Sequence, residues 1–155
     1  MMPLLPRDRE KIEPGLLALM LALAHGRERW PLFLYGPTGR GKTCAAVWLC
    51  DRVPYSVYTT ADRAAQWLLR RDDSIWQTYR EAPLLVIDEL GLRSCDSDLE
   101  YVAVKRLADC REHLPAIWIS NHDPRRIAEI YDERIYSRIC SGTWYCLEGE
   151  DRRFL

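Results

Sequence analysis

The residues best suited to chemistry lie in two short blocks. Gly36-Pro37-Thr38-Gly39-Arg40-Gly41-Lys42-Thr43 fits the pattern G-x-x-x-x-G-K-[ST] in full. Polyphosphate needs close backbone approach, which glycines permit, and N–H donors that converge at a helix N-terminus. In this pattern Lys42 adds a compact cation at the β- and γ-phosphates, and Thr43 supplies a hydroxyl for Mg²⁺. Gly36, Pro37, Thr38, Gly39, Gly41 and the variable loop position Arg40 complete the expected nucleotide cradle. The second block, Leu84-Leu85-Val86-Ile87-Asp88-Glu89, ends an apolar run in two adjacent carboxylates, the first lying 46 positions after Lys42. Alternation along a strand sends these side chains in different directions. Asp88 is expected to reach the Mg²⁺ shell, and Glu89 to orient and deprotonate a water. ATP and Mg²⁺ are therefore the implied ligands. A water-activating glutamate favours hydrolysis over transfer to a metabolite, leaving a small-molecule kinase as the minor alternative.

These blocks need elements to hold them. Pro31–Tyr35, Leu84–Ile87 and Ala116–Ile119 are apolar without alternation, the mark of strands buried on both faces of a parallel sheet. Weaker strands are expected at Tyr55–Tyr58 and Thr143–Leu147, giving five. Helical signals fall between them: an apolar helix from Pro14 to a stop at Gly26, another over Lys42–Arg52, and a long one over Ser97–His113. The long helix carries Leu99, Ala103, Leu107 and Cys110 on one stripe, with Asp98, Lys105, Asp109 and Glu112 on another. Capping boxes are expected at Thr59 with Asp62 and at Ser97 with Glu100. Strands alternating with helices predict an α/β fold. If the Ala116 strand inserts between the other two apolar strands, Asn121 at its end lies between phosphate loop and acidic pair, able to hold the attacking water.

Composition narrows the class. With 155 residues, 48% hydrophobic, 29% charged and a net charge of −1, the chain has the size of one domain and is neither disordered nor generally basic. Its cations are 19 arginines and only three lysines, one of them Lys42. Six cysteines without a C-x-x-C pair, several in apolar runs such as TWYCL, predict buried reduced thiols in a reducing compartment rather than a zinc site. Leu16–Ala24 is too short an apolar stretch to span a membrane. Trp67 and Trp76 are expected to pack, not to stack on bases.

The succession GPTGRGKT, LLVIDELG, AIWISN, YDERIYSRI and GEDRR resembles the AAA+ ATPases of the DnaC-type helicase-loader group, which includes phage loaders and IstB-type transposition helpers. The resemblance runs from about Trp30 to Arg153. It implies a P-loop AAA+ core with a five-stranded parallel sheet between helices; in this chain that core is expected over 30–155, with no separate lid domain and with a helical segment before it over 1–29. It also implies a cytoplasmic, ATP-dependent homo-oligomer that works on single-stranded DNA with a replicative helicase or, alternatively, a transposase. By position Asn121 matches sensor 1, Arg138 the arginine finger offered to a neighbouring subunit, and Arg153 or adjacent Arg152 the sensor 2 region. Apart from the family, Arg134 and Arg138 read as a solvated helix face. Cys44 stands where many relatives have histidine. Loaders usually carry an N-terminal helicase-gripping module, whereas the first strand here is expected to begin near Pro31, so either partner engagement runs through the N-terminal segment or the core surface, or the chain is a reduced homologue or a fragment. Arg70, Arg71, Arg93, Arg125 and Arg126 are the candidate DNA contacts.

Overall fold

The computed structural model describes residues 12–39, 41–92 and 98–148. The chain runs α1 (Pro14–Ala24), β1 (Leu32–Tyr35), α2 (Lys42–Cys50), β2 (Val57–Thr60), α3 (Ala61–Arg70), α4 (Asp73–Glu81), β3 (Leu85–Leu90), α5 (Asp98–Cys110), β4 (Ala116–Ser120), α6 (Pro124–Ile130), α7 (Glu133–Ile139) and β5 (Thr143–Cys146). All strand pairings are parallel, in the order β2-β3-β4-β1-β5.

The apolar strands divide their side chains between two helical layers, because successive residues of a strand point to opposite faces. Leu32, Leu34, Val86, Ile117 and Ile119 join Leu16, Met20, Leu23 and Trp48 on the face covered by α1 and α2. Phe33, Leu85, Ile87, Ala116 and Trp118 face the other way, onto Ala61, Ala64, Trp76, Leu107, Ile127 and Ile135 of the remaining helices. Five strands sandwiched between helices confirm the α/β expectation, with Trp118 at 1% exposure in the middle of the larger layer.

Three local expectations need correction. The second strand is Val57–Thr60, not Tyr55–Tyr58, because Tyr55 occupies the left-handed region (φ 64°) and is 88% exposed, which makes it a turn residue. The cap of α3 is Thr60, whose side chain accepts from Arg63 N, while Thr59 is fully buried and pairs with the Tyr79 hydroxyl at 2.9 Å. Cys146 is exposed rather than buried, since β5 is an edge strand whose residues alternate between half-covered and open. Cys50 and Cys140 are buried thiols, each pushed up by burial to about 12, whereas Cys44 and Cys110 are half-buried. Trp76 is buried, as expected. The Ser97 cap and Cys95 lie outside the described residues. Glu100, its expected partner, is buried and accepts from the Tyr131 hydroxyl at 3.0 Å.

Candidate nucleotide site

β1 delivers the chain into the phosphate loop, and two backbone features explain its glycines. Gly36 has φ 141°, and a Cβ there would sit 2.2 Å from the Leu147 carbonyl oxygen, because the end of β5 closes over the start of the loop through Leu147 N–H to Tyr35 O. Gly41 caps α2 in the left-handed region (φ 89°) with no side-chain cap bond. Gly41 thus opens α2 directly after the loop, at the positive end of the helix dipole. Lys42 is 6% exposed, and its Nζ donates to the carbonyls of Gly36 and Pro37 at 2.7 Å each. The ammonium is therefore folded back over the loop. Pro37 and Thr38 are exposed on the rim, Gly39 is half-covered, and Arg40 lies outside the described residues.

At the end of β3 the two carboxylates part. Asp88 is 5% exposed and accepts three hydrogen bonds: from Thr43 Oγ1 at 2.7 Å, from the Tyr58 hydroxyl at 2.7 Å, and from Glu89 N at 2.7 Å. Thr43 and Asp88, read separately in the sequence, thus share one point in space. Hard oxygen donors of this kind suit Mg²⁺, which keeps waters and substrate phosphates in its shell and needs only one or two protein ligands. No group of three or more His, Cys, Asp or Glu side chains able to hold a metal occurs among the described residues. Glu89 is exposed, sits at φ 58°, and marks an irregularity in the β3–β4 register between Ile87 and Leu90. A bulge at this point turns its side chain out of the strand's alternation. Desolvation first, then the charges of Asp88 and Asp62, raise the Glu89 pKa, while Arg63 opposes them. A carboxylate raised in this way is a better proton acceptor near neutral pH than an ordinary one.

β4 lies between β3 and β1, so Asn121, one residue past its end, emerges between the strand carrying the acidic pair and the strand feeding the phosphate loop. Asn121 is exposed, and the residues on either side of it are braced. Ser120 Oγ donates to Leu90 O at 2.7 Å and accepts from His122 N at 3.0 Å. His122 Nε2 meets Gly91 O at 3.0 Å, and a carbonyl can only accept, so that nitrogen carries the proton. The Tyr131 hydroxyl accepts from Gly91 N at 2.9 Å and donates to Glu100. Both loops flanking Glu89 and Asn121 are thereby tied together. Tyr58, Ser120, His122 and Tyr131 all escape the sequence reading, because each acts across 30 or more residues.

Arg138 stands apart from this cluster. It lies in the last turn of α7, five residues before β5 begins, and its guanidinium pairs with Asp109 (2.6 Å) in the last turn of α5 and with Glu112 (3.5 Å) just beyond it. α5 leaves the C-terminal end of β3 and returns toward the start of β4, so its last turn lies at the opposite edge of the sheet from the phosphate loop. Arg138 therefore does not join the glycine loop of this chain. Arg152 and Arg153 lie outside the described residues, as does Arg93. Arg70 and Arg71 are exposed at the end of α3, with Arg70 over the Trp67 ring, and Arg125 and Arg126 are exposed on α6, with Arg126 paired to Glu129 at 2.9 Å. No helix among the described residues is long and apolar enough to cross a membrane.

Comparison with known proteins fits this geometry. The family described as RNA helicase matches residues 32–121, the span from the first strand through Asn121. No curated protein matches in sequence. Among solved structures, AMPPCP-bound DnaA from Aquifex aeolicus superimposes with a TM-score of 0.75 at 20% identity, covering 95% of this chain and 49% of that one. The chain thus spans about half the length of that protein. The DnaC helicase loader gives 0.72 at 16% identity, covering 95% of this chain and 96% of the other, and DnaI gives 0.67 at 21%, covering 97% and 95%. At these identities the likeness is one of fold. The α/β fold with a five-stranded parallel sheet is borne out at that level, and so is the likeness of fold to the DnaC helicase loader.

Proposed function

This chain belongs to the P-loop family described as RNA helicase, and from that premise we propose that it is a cytoplasmic AAA+ ATPase of DNA replication that assists a replicative helicase onto single-stranded DNA. The observation that carries the reading is the meeting of Thr43 and Asp88 at 2.7 Å beside the loop lysine. That is the constellation nucleotide hydrolysis requires.

In this reading the α2 N-terminus and Lys42 hold the phosphates, with the ammonium exchanging the Gly36 and Pro37 carbonyls for phosphate oxygens. Thr43 and Asp88 would hold Mg²⁺. Bound there, that ion would neutralise charge on the β- and γ-phosphates. Glu89 accepts the proton of a water that Asn121 orients toward the γ-phosphorus. The new P–O bond forms as the bond to the bridging oxygen breaks, and that oxygen leaves with ADP. Arg138, at the far edge of its own subunit, serves the phosphate of a neighbour. Hydrolysis then depends on assembly. Arg153 or Arg152 is the candidate for a further phosphate contact, and the exposed pairs Arg70–Arg71 and Arg125–Arg126 are the candidates for the DNA backbone.

ATP turnover measured against protein concentration, with and without oligo-dT or an RNA of equal length, tests this. The reading expects turnover that rises more steeply than protein concentration, is stimulated by oligo-dT, and is abolished in Lys42→Ala. Turnover strictly proportional to protein and indifferent to nucleic acid would overturn it.

A further inference from the structure

The two carboxylates that hold Arg138 approach different edges of its guanidinium. Terminal Nη1 lies 2.6 Å from Asp109 Oδ1, whereas inner Nε lies 3.5 Å from Glu112 Oε2. A guanidinium reaching outward to a phosphate presents its terminal edge, and that is the edge Asp109 covers. Nη1 is shut off from solvent, yet its contact with Asp109 lacks hydrogen-bond alignment. The inner edge stays free to be held while the terminal edge works. The backbone beneath is firm: Ser141 Oγ donates to Arg138 O at 2.9 Å, and Trp144 Nε1 donates to Cys140 O at 2.8 Å.

We infer that Asp109 is a latch and Glu112 a support for Arg138: Asp109 keeps the terminal edge engaged within the free subunit and must release it for Arg138 to serve a neighbour, while Glu112 steadies the inner edge throughout. The inference rests on the trans role of Arg138 proposed above. Two observations make the latch reversible. Both carboxylates are more than 40% exposed although Arg138 is only 21% exposed, so water can take the place of the guanidinium on each carboxylate when it leaves. Asp109 also lines a groove between α4 and α5 with Arg80, Lys105 and Arg106, so release leaves its charge among other cations rather than isolated.

The test is ATP turnover over a series of subunit concentrations, with saturating oligo-dT, for the wild type and for Asp109→Asn, Asp109→Glu, Glu112→Gln and Arg138→Ala. Asp109→Asn is expected to lower the concentration giving half-maximal turnover by about two- to fivefold, the worth of one exposed ion pair, with an unchanged plateau. Asp109→Glu restores the wild-type midpoint. Glu112→Gln is expected to lower the plateau and leave the midpoint in place. A general loss of folding would move midpoint and plateau together, and thermal melts of each variant identify it. If Arg138→Ala is inactive while Asp109→Asn matches the wild type or shifts the midpoint upward, the latch is wrong. If Arg138→Ala keeps the wild-type concentration dependence, the trans role itself is wrong.

Discussion

Glu89 combines two costs at one position, and removing them separately gives a test with a definite sign. A non-glycine residue at φ 58° is strained by roughly 1–2 kcal/mol. Its carboxyl, ordinarily near 4.5, is raised by desolvation and by Asp88 and Asp62. Because the folded-state pKa lies above the unfolded one, the fold favours the neutral form. That contribution is fully present below about pH 4.5 and is lost as pH rises through the raised value. Glu89→Gln should therefore melt higher than the wild type at pH 8 and level with it at pH 4. The side chain is largely open to solvent, so screening keeps that gain small while its sign stays fixed. Glu89→Gly relieves the backbone as well. Offset by about 0.5–1 kcal/mol of extra chain entropy, it should add up to ~1 kcal/mol over Glu89→Gln, independent of pH. Both variants should lose ATP turnover by roughly 10²–10⁴-fold while still binding nucleotide. Scanning calorimetry at the two pH values, paired with a phosphate-release assay, reads both effects. A Glu89→Gln protein that melts lower than the wild type at pH 8, or that hydrolyses normally, would refute the reasoning.

Other residues give further checks. Tyr58→Phe removes one of the three donors to Asp88 without changing shape, so it should cost about 1 kcal/mol in apo stability and raise the Mg²⁺ concentration needed for half-maximal turnover, read in a magnesium titration. Trp118→Ala empties the centre of the larger apolar layer and should destabilise by about 3–5 kcal/mol in urea unfolding, with nucleotide affinity lost only as the fold is lost. Cys146 is an exposed thiol on the edge strand, raised by desolvation and by Glu148, so its alkylation should be slow at pH 7 and accelerate as pH rises, followed by mass spectrometry.

What could be read in the sequence was what depends on neighbours in the chain. The phosphate loop is contiguous, and Asp88 and Glu89 adjoin a strand whose unbroken apolar run announces burial on both faces. The place of Asn121 hung on one condition, that the Ala116 strand inserts between the other two apolar strands, and the order β3-β4-β1 meets it. What depends on distant partners stayed hidden. Tyr58 looks like any strand aromatic until β2 pairs with β3 and sets its hydroxyl on Asp88. Ser120 and His122 look like turn residues, yet they brace the loop beside Glu89. The polar stripe of α5 was visible as Asp98, Lys105, Asp109 and Glu112, but nothing local says that two of its members grip Arg138. Cys146 misled for the converse reason, since TWYCL is apolar by composition and only sheet order makes it an edge. Thr59 and Thr60 differ by one residue, and the buried Tyr79 hydroxyl decides which of them caps the helix.

A mixing experiment bears most directly on the central claim that one subunit's loop and another's arginine form a single hydrolytic site. Glu89→Gln keeps Arg138 but lacks the base, and Arg138→Ala keeps the base but lacks the finger. Each alone should be inactive with ATP and oligo-dT. Mixed in equal amounts they should recover a substantial fraction of wild-type phosphate release, because intact Glu89 sites then meet intact Arg138 donors. A mixture no more active than its separate components, under conditions where both assemble, would contradict the account.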